Sequence, residues 1–328
     1  MRVLITGGAG FIGQITAKAL LDDERYTEVL LADIIEPPVP AGTKYPERAR
    51  CIKVDLSKSE DVASLVSPSE GKGNLDSVIL LHGIMSSGAE ADLKLGYRIN
   101  VDATRAVLDE LIATSPGVRV LYASSEAVYG RPVPKHGVTE DDIPAPEMSY
   151  GCQKIICETI INDYTRRGLL NGFSLRFPTI SVRPGAPSAA ISSFLSGVIR
   201  EPLAGKPCAI PLRDRAWRHW MSSPKTLVHN LKVALQLPRE ALPLHRRSVN
   251  MPGFAVTIQQ MLDALEAEGG PQALALVEER DTPEIKSTLY SWADDFDNSL
   301  ALSLGMKQDV SFVDSVRDYK ETMAAAGK

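Results

Sequence analysis

The chain has 328 residues, 44% of them hydrophobic, and a formal net charge of −5 at pH 7. This length suits one large domain or two smaller ones, and the hydrophobic content is ample for a packed core. Because no block of like charges stands out, nucleic acid is not an expected partner. The apolar runs are far shorter than the ~18 residues of a membrane span, and an apolar strand directly follows Met1-Arg2, leaving no room for a signal peptide. We expect a soluble cytoplasmic protein.

The cysteines and histidines do not indicate a metal site. The four cysteines form no Cys-x-x-Cys pair, and the five histidines form no ligand cluster. Cys152 and Cys157 flank the Tyr150/Lys154 face of a predicted helix, where small packing residues are expected. We therefore predict no bound metal.

Short apolar runs alternate with helical stretches through the first half of the chain. The predicted strands are residues 2–6, 29–33, 51–55, 77–82, 118–123 and 173–177. The predicted helices are residues 11–22, 98–114 and 149–167, and a loop is predicted from strand four to about residue 92. This alternation is typical of a parallel sheet with crossover helices, and near-continuous apolar strands fit a sheet buried on both faces. We predict an α/β fold, with a Rossmann-type doubly wound parallel sheet over residues 1–177.

The sequence changes character after about residue 178. Proline and glycine become frequent, at Pro178, Pro184, Gly185, Pro187, Pro202, Gly205, Pro207 and Pro211. Such breakers argue against further βα units. Ser223-Pro224 predicts a helix start, with the helix reaching about residue 237, and Thr257 to Gln260 predicts a capping box. We predict that residues 178–328 form a smaller mixed region, mainly substrate-binding, that closes over the mouth of the sheet, with a segment near 223–250 returning to that sheet.

Three glycines lie between the first strand and the first helix. Gly7, Gly10 and Gly13 have the spacing G-x-x-G-x-x-G, which matches the general dinucleotide fingerprint only loosely. Glycines at a strand–helix turn let the backbone approach a pyrophosphate, and the helix N-terminus offers unpaired N–H groups. We predict that Gly7, Gly10, Phe11, Ile12 and Gly13 bind a dinucleotide. The alternative is a tight turn without a ligand.

Asp33 ends the second strand, twenty residues beyond Gly13. A carboxylate there can accept hydrogen bonds from both hydroxyls of an adenosine ribose, and it repels a 2′-phosphate. The following residues, Ile34–Glu36, include no arginine, so NAD is favoured over NADP. Asp55 and Leu56, after the third strand, are candidates for the adenine edge. The alternative for Asp55 is a helix cap.

Tyr150 and Lys154 lie four residues apart, after a serine pair at Ser124 and Ser125. Residues at i and i+4 share one face of a helix, so the phenol and the ammonium can point into one site. A nearby cation favours the ionised tyrosine, whose pKa is about 10 when unperturbed. Such a tyrosine can take a proton from an alcohol as hydride leaves its carbon. The pair alone is a weak signal, but with the glycine turn and the serine it predicts a dehydrogenase site.

The segment from Ala123 to Gly130 resembles the Ser-Ser-x-x-Val-Tyr-Gly segment of extended short-chain dehydrogenases/reductases, the NAD-dependent epimerase/dehydratase superfamily. The resemblance covers nearly the whole chain. It implies that Ser125 is the catalytic serine, that Ser124 is structural or faces the cofactor, and that Asn100 supports the site. It also implies a homodimer formed through the helices at 98–114 and 149–167. The residues we assign to the cofactor in addition to those above are His82, Gly83, Asn100, Tyr150, Lys154 and Pro178.

The reaction type depends on further residues. Similar dehydratases carry an Asp-Glu pair where this chain has Glu126 and Ala127, so dehydration is disfavoured. Epimerases of the UDP-galactose type tend to present an asparagine where this chain has Pro178–Ile180, which weakens that alternative. A longer match, centred on Leu175–Gly185, resembles the D-erythronate dehydrogenase group. That resemblance implies NAD-dependent oxidation of the C2 hydroxyl of a four-carbon sugar acid to the 2-keto acid.

A small sugar acid needs a cation for its carboxylate and polar partners for its hydroxyls. Arg183 lies just past the sixth strand and can hold a carboxylate bidentately, with contact to protein or cofactor as the alternative. Ser86, Ser87 and Thr179 are the predicted hydroxyl partners. Arg218, His219 and Trp220 are candidates to cover the substrate from the second region, with a core position as the alternative for Trp220. Tyr150 and Ser125 are expected at the reacting oxygen. Two other functions stay open: an epimerase that retains its NAD, and a dinucleotide-sensing regulator without catalysis.

Overall fold

A computed structural model describes residues 1–67, 74–134, 137–186 and 190–325, so Pro187 of the predicted breakers lies outside the described residues. The chain forms two compact units. The first comprises residues 1–128, 148–176 and 230–249, and the second comprises residues 129–147, 177–229 and 250 onward. These two units are defined by their internal contacts. The predicted regions, 1–177 for the cofactor and mainly 178–328 for the substrate, are defined by what they bind. That assignment of roles stays a prediction.

Twelve strands occur in the described residues. They are β1 Arg2–Thr6, β2 Glu28–Asp33, β3 Ala49–Lys53, β4 Ser77–Leu80, β5 Arg119–Ser125, β6 Asn171–Phe177, β7 Thr179–Ile180, β8 Cys208–Ile210, β9 Arg218–Ser222, β10 Ser248–Asn250, β11 Phe254–Thr257 and β12 Val277–Glu279.

The α-helices of the same residues also number twelve. They are α1 Phe11–Leu21, α2 Ser59–Val66, α3 Ser86–Ala91, α4 Leu93–Tyr97, α5 Ala103–Thr114, α6 Ser149–Arg166, α7 Phe194–Leu203, α8 Pro224–Ala234, α9 Ile258–Leu274, α10 Pro283–Leu289, α11 Ser299–Ser303 and α12 Phe312–Ala325. A π-helical turn, Arg98–Asp102, runs directly into α5.

The first unit is built on a seven-stranded sheet with the order β10-β6-β5-β4-β1-β2-β3 across the described strands. β1 pairs in parallel with β2 and β4, β2 with β3, and β4 with β5. The chain moves outward from β1 to β3 and then returns to β4 at the other side of β1. Ligands of open α/β sheets bind at such a switch point, at the carboxyl ends of the strands. The predicted α/β fold with a doubly wound parallel sheet is confirmed.

The apolar strands are buried because helices cover the sheet. Val3, Leu4 and Ile5 of β1 are all 0% exposed, as are Val29 and Leu31 of β2. Residues that alternate between the two faces of a strand are thus equally buried. This is the reason that central parallel strands read as continuous apolar runs.

The second unit contains a three-stranded sheet with the order β11-β9-β7 and a two-stranded sheet of β8 and β12. β9 pairs antiparallel with β11 and parallel with β7, so the small sheet is mixed. The predicted capping box is present: Thr257 accepts from the N–H of Gln260, and the Gln260 side chain accepts from the N–H of Thr257. The Ser223 hydroxyl accepts from the N–H of Thr226 at 3.1 Å, which confirms the predicted cap of α8.

Two local predictions differ from the structure. The stretch predicted as a loop to about residue 92 contains α3, Ser86–Ala91, and α4 follows at once. The third strand was predicted at 51–55 but spans Ala49–Lys53, so Asp55 lies two residues beyond its end. No helix in the described parts of the chain is long and apolar enough to cross a membrane.

Candidate active site

A tight turn joins β1 to α1 at the carboxyl edge of the sheet. Gly7 has a φ of +70°, and a side-chain carbon there would lie 2.8 Å from the carbonyl carbon of Leu81. At Gly13 such a carbon would lie 2.3 Å from the carbonyl oxygen of Gly7, so only glycine lets α1 pack this closely. Gly10 is the N-cap and Phe11 the first helical residue, and the first turn carries no acidic side chain. Because the leading N–H groups of a helix lack intrahelical partners, the turn fits a pyrophosphate.

The carboxylate of Asp33 faces this turn from the end of β2. Its Oδ2 accepts from the N–H of Ala9 at 3.0 Å, and its Oδ1 accepts from the N–H of Ile34 at 2.7 Å. Each carboxylate oxygen has a second lone pair, so the group can still accept from a ligand hydroxyl. Beside it, Ile34 and Ile35 are 58% and 60% exposed. The contact of Ile34 with a dinucleotide stays a prediction.

Asp55 and Leu56 are engaged within the protein. The Oδ1 of Asp55 accepts from the N–H of Ser57 at 3.0 Å and from its hydroxyl at 2.7 Å, which forms an Asx turn before α2. These bonds from Ser57 lower the pKa of Asp55 below its usual range. Leu56 is buried in the core of the first unit. The structure thus shows a local turn role for Asp55, while a contact to adenine stays a prediction.

Both ring nitrogens of His82 have partners. Thr104 donates its hydroxyl proton to the carbonyl oxygen of Asn100 at 2.8 Å, so it must accept from Nε2–H of His82 at 3.1 Å. The unprotonated Nδ1 then accepts from the hydroxyl of Thr6 at 2.7 Å. Desolvation, with the nearby Lys154 ammonium as a smaller cause, lowers the pKa of His82 to about 3. His82 is therefore neutral at physiological pH, and its ring ties the ends of β1 and β4 to α5.

Asn100 lies in the π-helical turn and is 2% exposed. Its Oδ1 accepts from the N–H of Ile84 at 2.7 Å, and its Nδ2 donates to the carbonyl of Ile84 at 3.0 Å. The same Nδ2 donates to Oε1 of Gln153 at 2.6 Å. The Asn100 side chain thus holds the backbone of Ile84 against α6. Its partner on that helix, Gln153, is the residue before Lys154. Isolated π turns are frequent at functional sites.

Tyr150 and Lys154 project from the first two turns of α6, as their spacing predicts. Lys154 is 4% exposed, and its Nζ donates to the carbonyl oxygen of Ala123 at 2.6 Å. The ammonium lies 5.2 Å from the ring centroid of Tyr150 and 4.7 Å from that of Tyr122. A buried ammonium over two aromatic faces is a favourable arrangement, because the ring faces are negative.

Ser125 ends β5, and α6 packs against both this strand and the 3-10 turn that follows it. Its Oγ accepts from the N–H of Ala127 at 3.2 Å, and within the described parts of the chain its own proton meets no acceptor. Ser124 points elsewhere, since its hydroxyl donates to the buried carboxylate of Glu158. Of the two roles left open for Ser124, the structural one is observed.

Ser86 begins α3 in the first unit and is half-buried. Its hydroxyl makes no hydrogen bond to any residue that the structure describes. Its place after β4 is compatible with the predicted substrate contact, which stays a prediction.

In the second unit, Thr179 follows Pro178 and bonds a histidine. Its Oγ1 lies 2.7 Å from Nε2 of His219. His219 is 1% exposed, stacks on Trp217 with ring centroids 5.6 Å apart, and lies 5.1 Å from Trp292. The Thr179 hydroxyl is thus bonded to a buried histidine that packs against two tryptophans.

Arg183, also in the second unit, carries a half-buried guanidinium. Burial and the like charge of Arg200 both lower the pKa of Arg183. Its backbone is anchored, with the N–H donating to Ser196 and the carbonyl accepting from Arg200. No carboxylate among the described residues pairs with its side chain. A desolvated cation without an acidic partner favours an anionic ligand.

Sequence reasoning did not single out four residues that organise the site: Tyr122, Gln153, Thr104 and Glu158. Gln153 lies within the Tyr-x-x-x-Lys motif, and Glu158 lies four residues beyond Lys154, on the same helix face. That spacing was a usable signal. The partners of Tyr122 and Thr104 come from distant segments, for which the sequence holds no local pattern.

The comparisons with known proteins agree with this geometry. The profile of the NAD dependent epimerase/dehydratase family matches residues 3–239. The chain is 37% identical to the D-erythronate dehydrogenase of Haemophilus influenzae, covering 98% of this chain and 99% of that protein. It is also 37% identical to the D-erythronate dehydrogenase of Cupriavidus necator, covering 99% and 100%. A crystal structure of a nucleoside-diphosphate-sugar epimerase from Agrobacterium tumefaciens superposes with a TM-score of 0.89 at 33% identity, covering 98% of this chain and 94% of that one.

Proposed function

The chain is an oxidoreductase of the NAD-dependent epimerase/dehydratase family, and we propose that it oxidises the C2 hydroxyl of a small sugar acid, D-erythronate, to the 2-keto acid. The observation that carries the proposal is the likeness to two D-erythronate dehydrogenases over almost the entire chain. The family profile ends at residue 239, whereas that likeness continues into the part of the second unit that begins at residue 250. The likeness to the two D-erythronate dehydrogenases therefore covers more of the chain than the part matched by the family profile.

We propose NAD as the cofactor, because the glycine turn and the Asp33 carboxylate fit its pyrophosphate and its adenosine ribose. When bound, NAD supplies the hydride acceptor. The proposed cofactor residues are Gly7, Gly10, Phe11, Ile12, Gly13, Asp33, Ile34, Asp55, Leu56, His82, Gly83, Asn100, Tyr150, Lys154 and Pro178. For His82, whose ring nitrogens are both engaged, the contact would come from the backbone.

The proposed catalytic residues act on one substrate oxygen. Tyr150, as the phenolate, takes the proton of the C2 hydroxyl while the hydride leaves C2, so that the carbon–oxygen bond becomes a carbonyl. Lys154 favours the phenolate, since its ammonium lies beside the Tyr150 ring. Ser125 keeps its proton and donates a hydrogen bond from its hydroxyl to the same substrate oxygen.

For the substrate, we propose that Arg183 binds the carboxylate and that Ser86 and Thr179 bind hydroxyls. The guanidinium without an acidic partner supports the first assignment. The half-buried Ser86 hydroxyl and the oriented Thr179 hydroxyl support the second. A homodimer formed through α5 and α6 and a cytoplasmic location stay predictions.

A second candidate function is supported by the epimerase from Agrobacterium tumefaciens, which is 33% identical. An epimerase of this kind would return the hydride to its substrate and retain its cofactor. It would show no net reduction of NAD, which separates the two candidates in one assay.

The test is a panel of C4 to C6 sugar acids mixed with the purified protein and NAD, followed by absorbance of NADH. We expect rapid NADH formation with D-erythronate and little with NADP. If no sugar acid produces NADH while NAD still binds, the dehydrogenase proposal fails. Conversion of a nucleotide sugar to its epimer would then identify the second function.

A further inference from the structure

A buried carboxylate lies on the Tyr150/Lys154 face of α6, one turn beyond Lys154. Glu158 is four residues beyond Lys154 and is 3% exposed. Its Oε1 accepts from Nε of Arg176 at 3.0 Å, and its Oε2 accepts from Nη2 of Arg176 at 2.7 Å. The hydroxyl of Ser248 donates to Oε2 at 2.7 Å, and that of Ser124 donates to Oε1. Burying a carboxylate is costly unless it is paired and hydrogen-bonded, and here both oxygens are.

This carboxylate connects α6 to three neighbouring strands of the sheet. Ser124 belongs to β5, Arg176 to β6 and Ser248 to β10, which are adjacent in the order β10-β6-β5. The ties to β10 and β6 hold the helix on the sheet. The bond to Ser124 in β5 differs from the other two, because the next residue along that strand is Ser125, the proposed catalytic serine.

Two successive residues of β5 are bound to two side chains of α6 one helical turn apart. The carbonyl of Ala123 accepts from Lys154, and the hydroxyl of Ser124 donates to Glu158. Together these bonds set the register of the strand end against the helix. Ser125 is the next residue along the strand, and Tyr150 lies one turn before Lys154.

We propose that Glu158 is a positioning residue that acts through Ser124 to hold Ser125 in register with Tyr150. The inference rests on the proposed dehydrogenase function, in which both hydroxyls meet one substrate oxygen. A displacement of about 1 Å in a catalytic group can cost on the order of 100-fold in rate. A hydrogen bond donated to a buried carboxylate is strong enough to resist such a displacement.

The chain provides a matched pair of variants. Ser124→Ala and Ser248→Ala each remove one hydroxyl from the same carboxylate and leave the Glu158–Arg176 ion pair intact. Each removes one hydrogen bond to the same buried carboxylate, so comparable losses of Tm are expected. Only Ser124 is adjacent to Ser125. A role limited to stability predicts equal effects of the two changes, whereas a positioning role predicts unequal effects on kcat.

The experiment measures kcat, KM, NAD affinity and Tm for wild type and both variants. We expect Ser124→Ala to lower kcat by roughly 10-fold, with NAD affinity and the KM for NAD unchanged within about twofold. Ser248→Ala is expected to retain the wild-type kcat within about twofold at a comparable loss of Tm. Equal kcat in the two variants overturns the inference. Weakened NAD binding in Ser124→Ala also overturns it, since Ser124 would then act on the cofactor.

Hydrogen exchange separates this inference from the proposed function. In Ser124→Ala the amides of Ser125 to Val128 should exchange faster than in wild type, and in Ser248→Ala they should not. If the wild-type protein oxidises no sugar acid, the proposed function fails, and the exchange comparison alone decides whether Glu158 holds this segment through Ser124. Unchanged exchange in Ser124→Ala contradicts the inference in either case.

Discussion

Lys154 donates from Nζ to the carbonyl oxygen of Ala123 at 2.6 Å, while its ammonium lies 5.2 Å from the centre of the Tyr150 ring. One of three ammonium donors is thus used by the backbone of β5. The other two have no acceptor in the described residues and are available to the tyrosine oxygen and to a ribose hydroxyl. The Lys154 ammonium therefore retains two donors beside the Tyr150 ring.

Replacing Lys154 with methionine should remove this charge while filling most of the space of the side chain. We expect kcat/KM to fall by at least about 100-fold, since the phenolate loses its stabilising cation. Steady-state kinetics with the best sugar acid measures the loss. Lys225→Met, at an exposed lysine paired with Asp318, is the control and should change kcat/KM by less than about twofold. Wild-type kcat/KM in the Lys154 variant would exclude this role.

Asp33→Asn should weaken the discrimination between the two dinucleotides. The amide cannot accept from both ribose hydroxyls as the carboxylate does, and it no longer repels a 2′-phosphate. We expect the NAD dissociation constant to rise about 10-fold and the preference over NADP to shrink by a similar factor. Fluorescence titration with each dinucleotide measures both. Asp22→Asn, at a carboxylate beyond the end of α1, should leave both affinities unchanged.

The features that the sequence predicted well depend on neighbours along the chain. The turn at Gly7 to Gly13 and the helical spacing of Tyr150 and Lys154 are set by local backbone geometry. The strands were recognised because their apolar runs are buried on both faces. By contrast, α3 was predicted as loop, because its six residues contain glycine and two serines and bury only Ala89. A helix this short has no periodic pattern.

The network behind the site depends on contacts between distant segments. The bonds of His82 to Thr6 and Thr104 span 76 and 22 residues, and the bond between Ser248 and Glu158 spans 90. No motif in the sequence joins these positions. The topology brings them together because β1 and β4, and likewise β6 and β10, are adjacent in the sheet but not consecutive in the chain.

Arg183→Met should act on the sugar acid and spare the cofactor. Removal of the guanidinium takes away a charge-assisted pair with the substrate carboxylate, so we expect the KM for the sugar acid to rise at least about 30-fold. NAD affinity should stay within about twofold of wild type. Arg280→Met, at an exposed arginine paired with Glu278, is the matched control. An unchanged KM in Arg183→Met would show that another group binds the carboxylate.

His82 should make the folded protein less stable in acid. Its pKa is about 3 in the folded chain and about 6.5 in an unfolded one, so the unfolded state binds more protons between these values. The contribution of His82 to the free energy of unfolding is complete above about pH 6.5. It is lost as the pH falls toward 3, by up to about 1.4 kcal/mol per pH unit. Urea unfolding from pH 7.5 to pH 4 measures the slope.

The variant His82→Gln should flatten that slope, because glutamine does not titrate. His245→Gln, at an exposed histidine, serves as the control and should leave the slope as in wild type. If the slope is the same in wild type and in His82→Gln, other groups cause the acid sensitivity.

The central claim is that hydride moves from C2 of a sugar acid to NAD with net release of NADH, and deuterium at C2 of D-erythronate tests it most directly. We predict that the label appears in free NADH in stoichiometric amount, and that the labelled substrate reacts more slowly in a single turnover. Deuterium that remains in, or returns to, the sugar product, with no label in released NADH, would contradict the account.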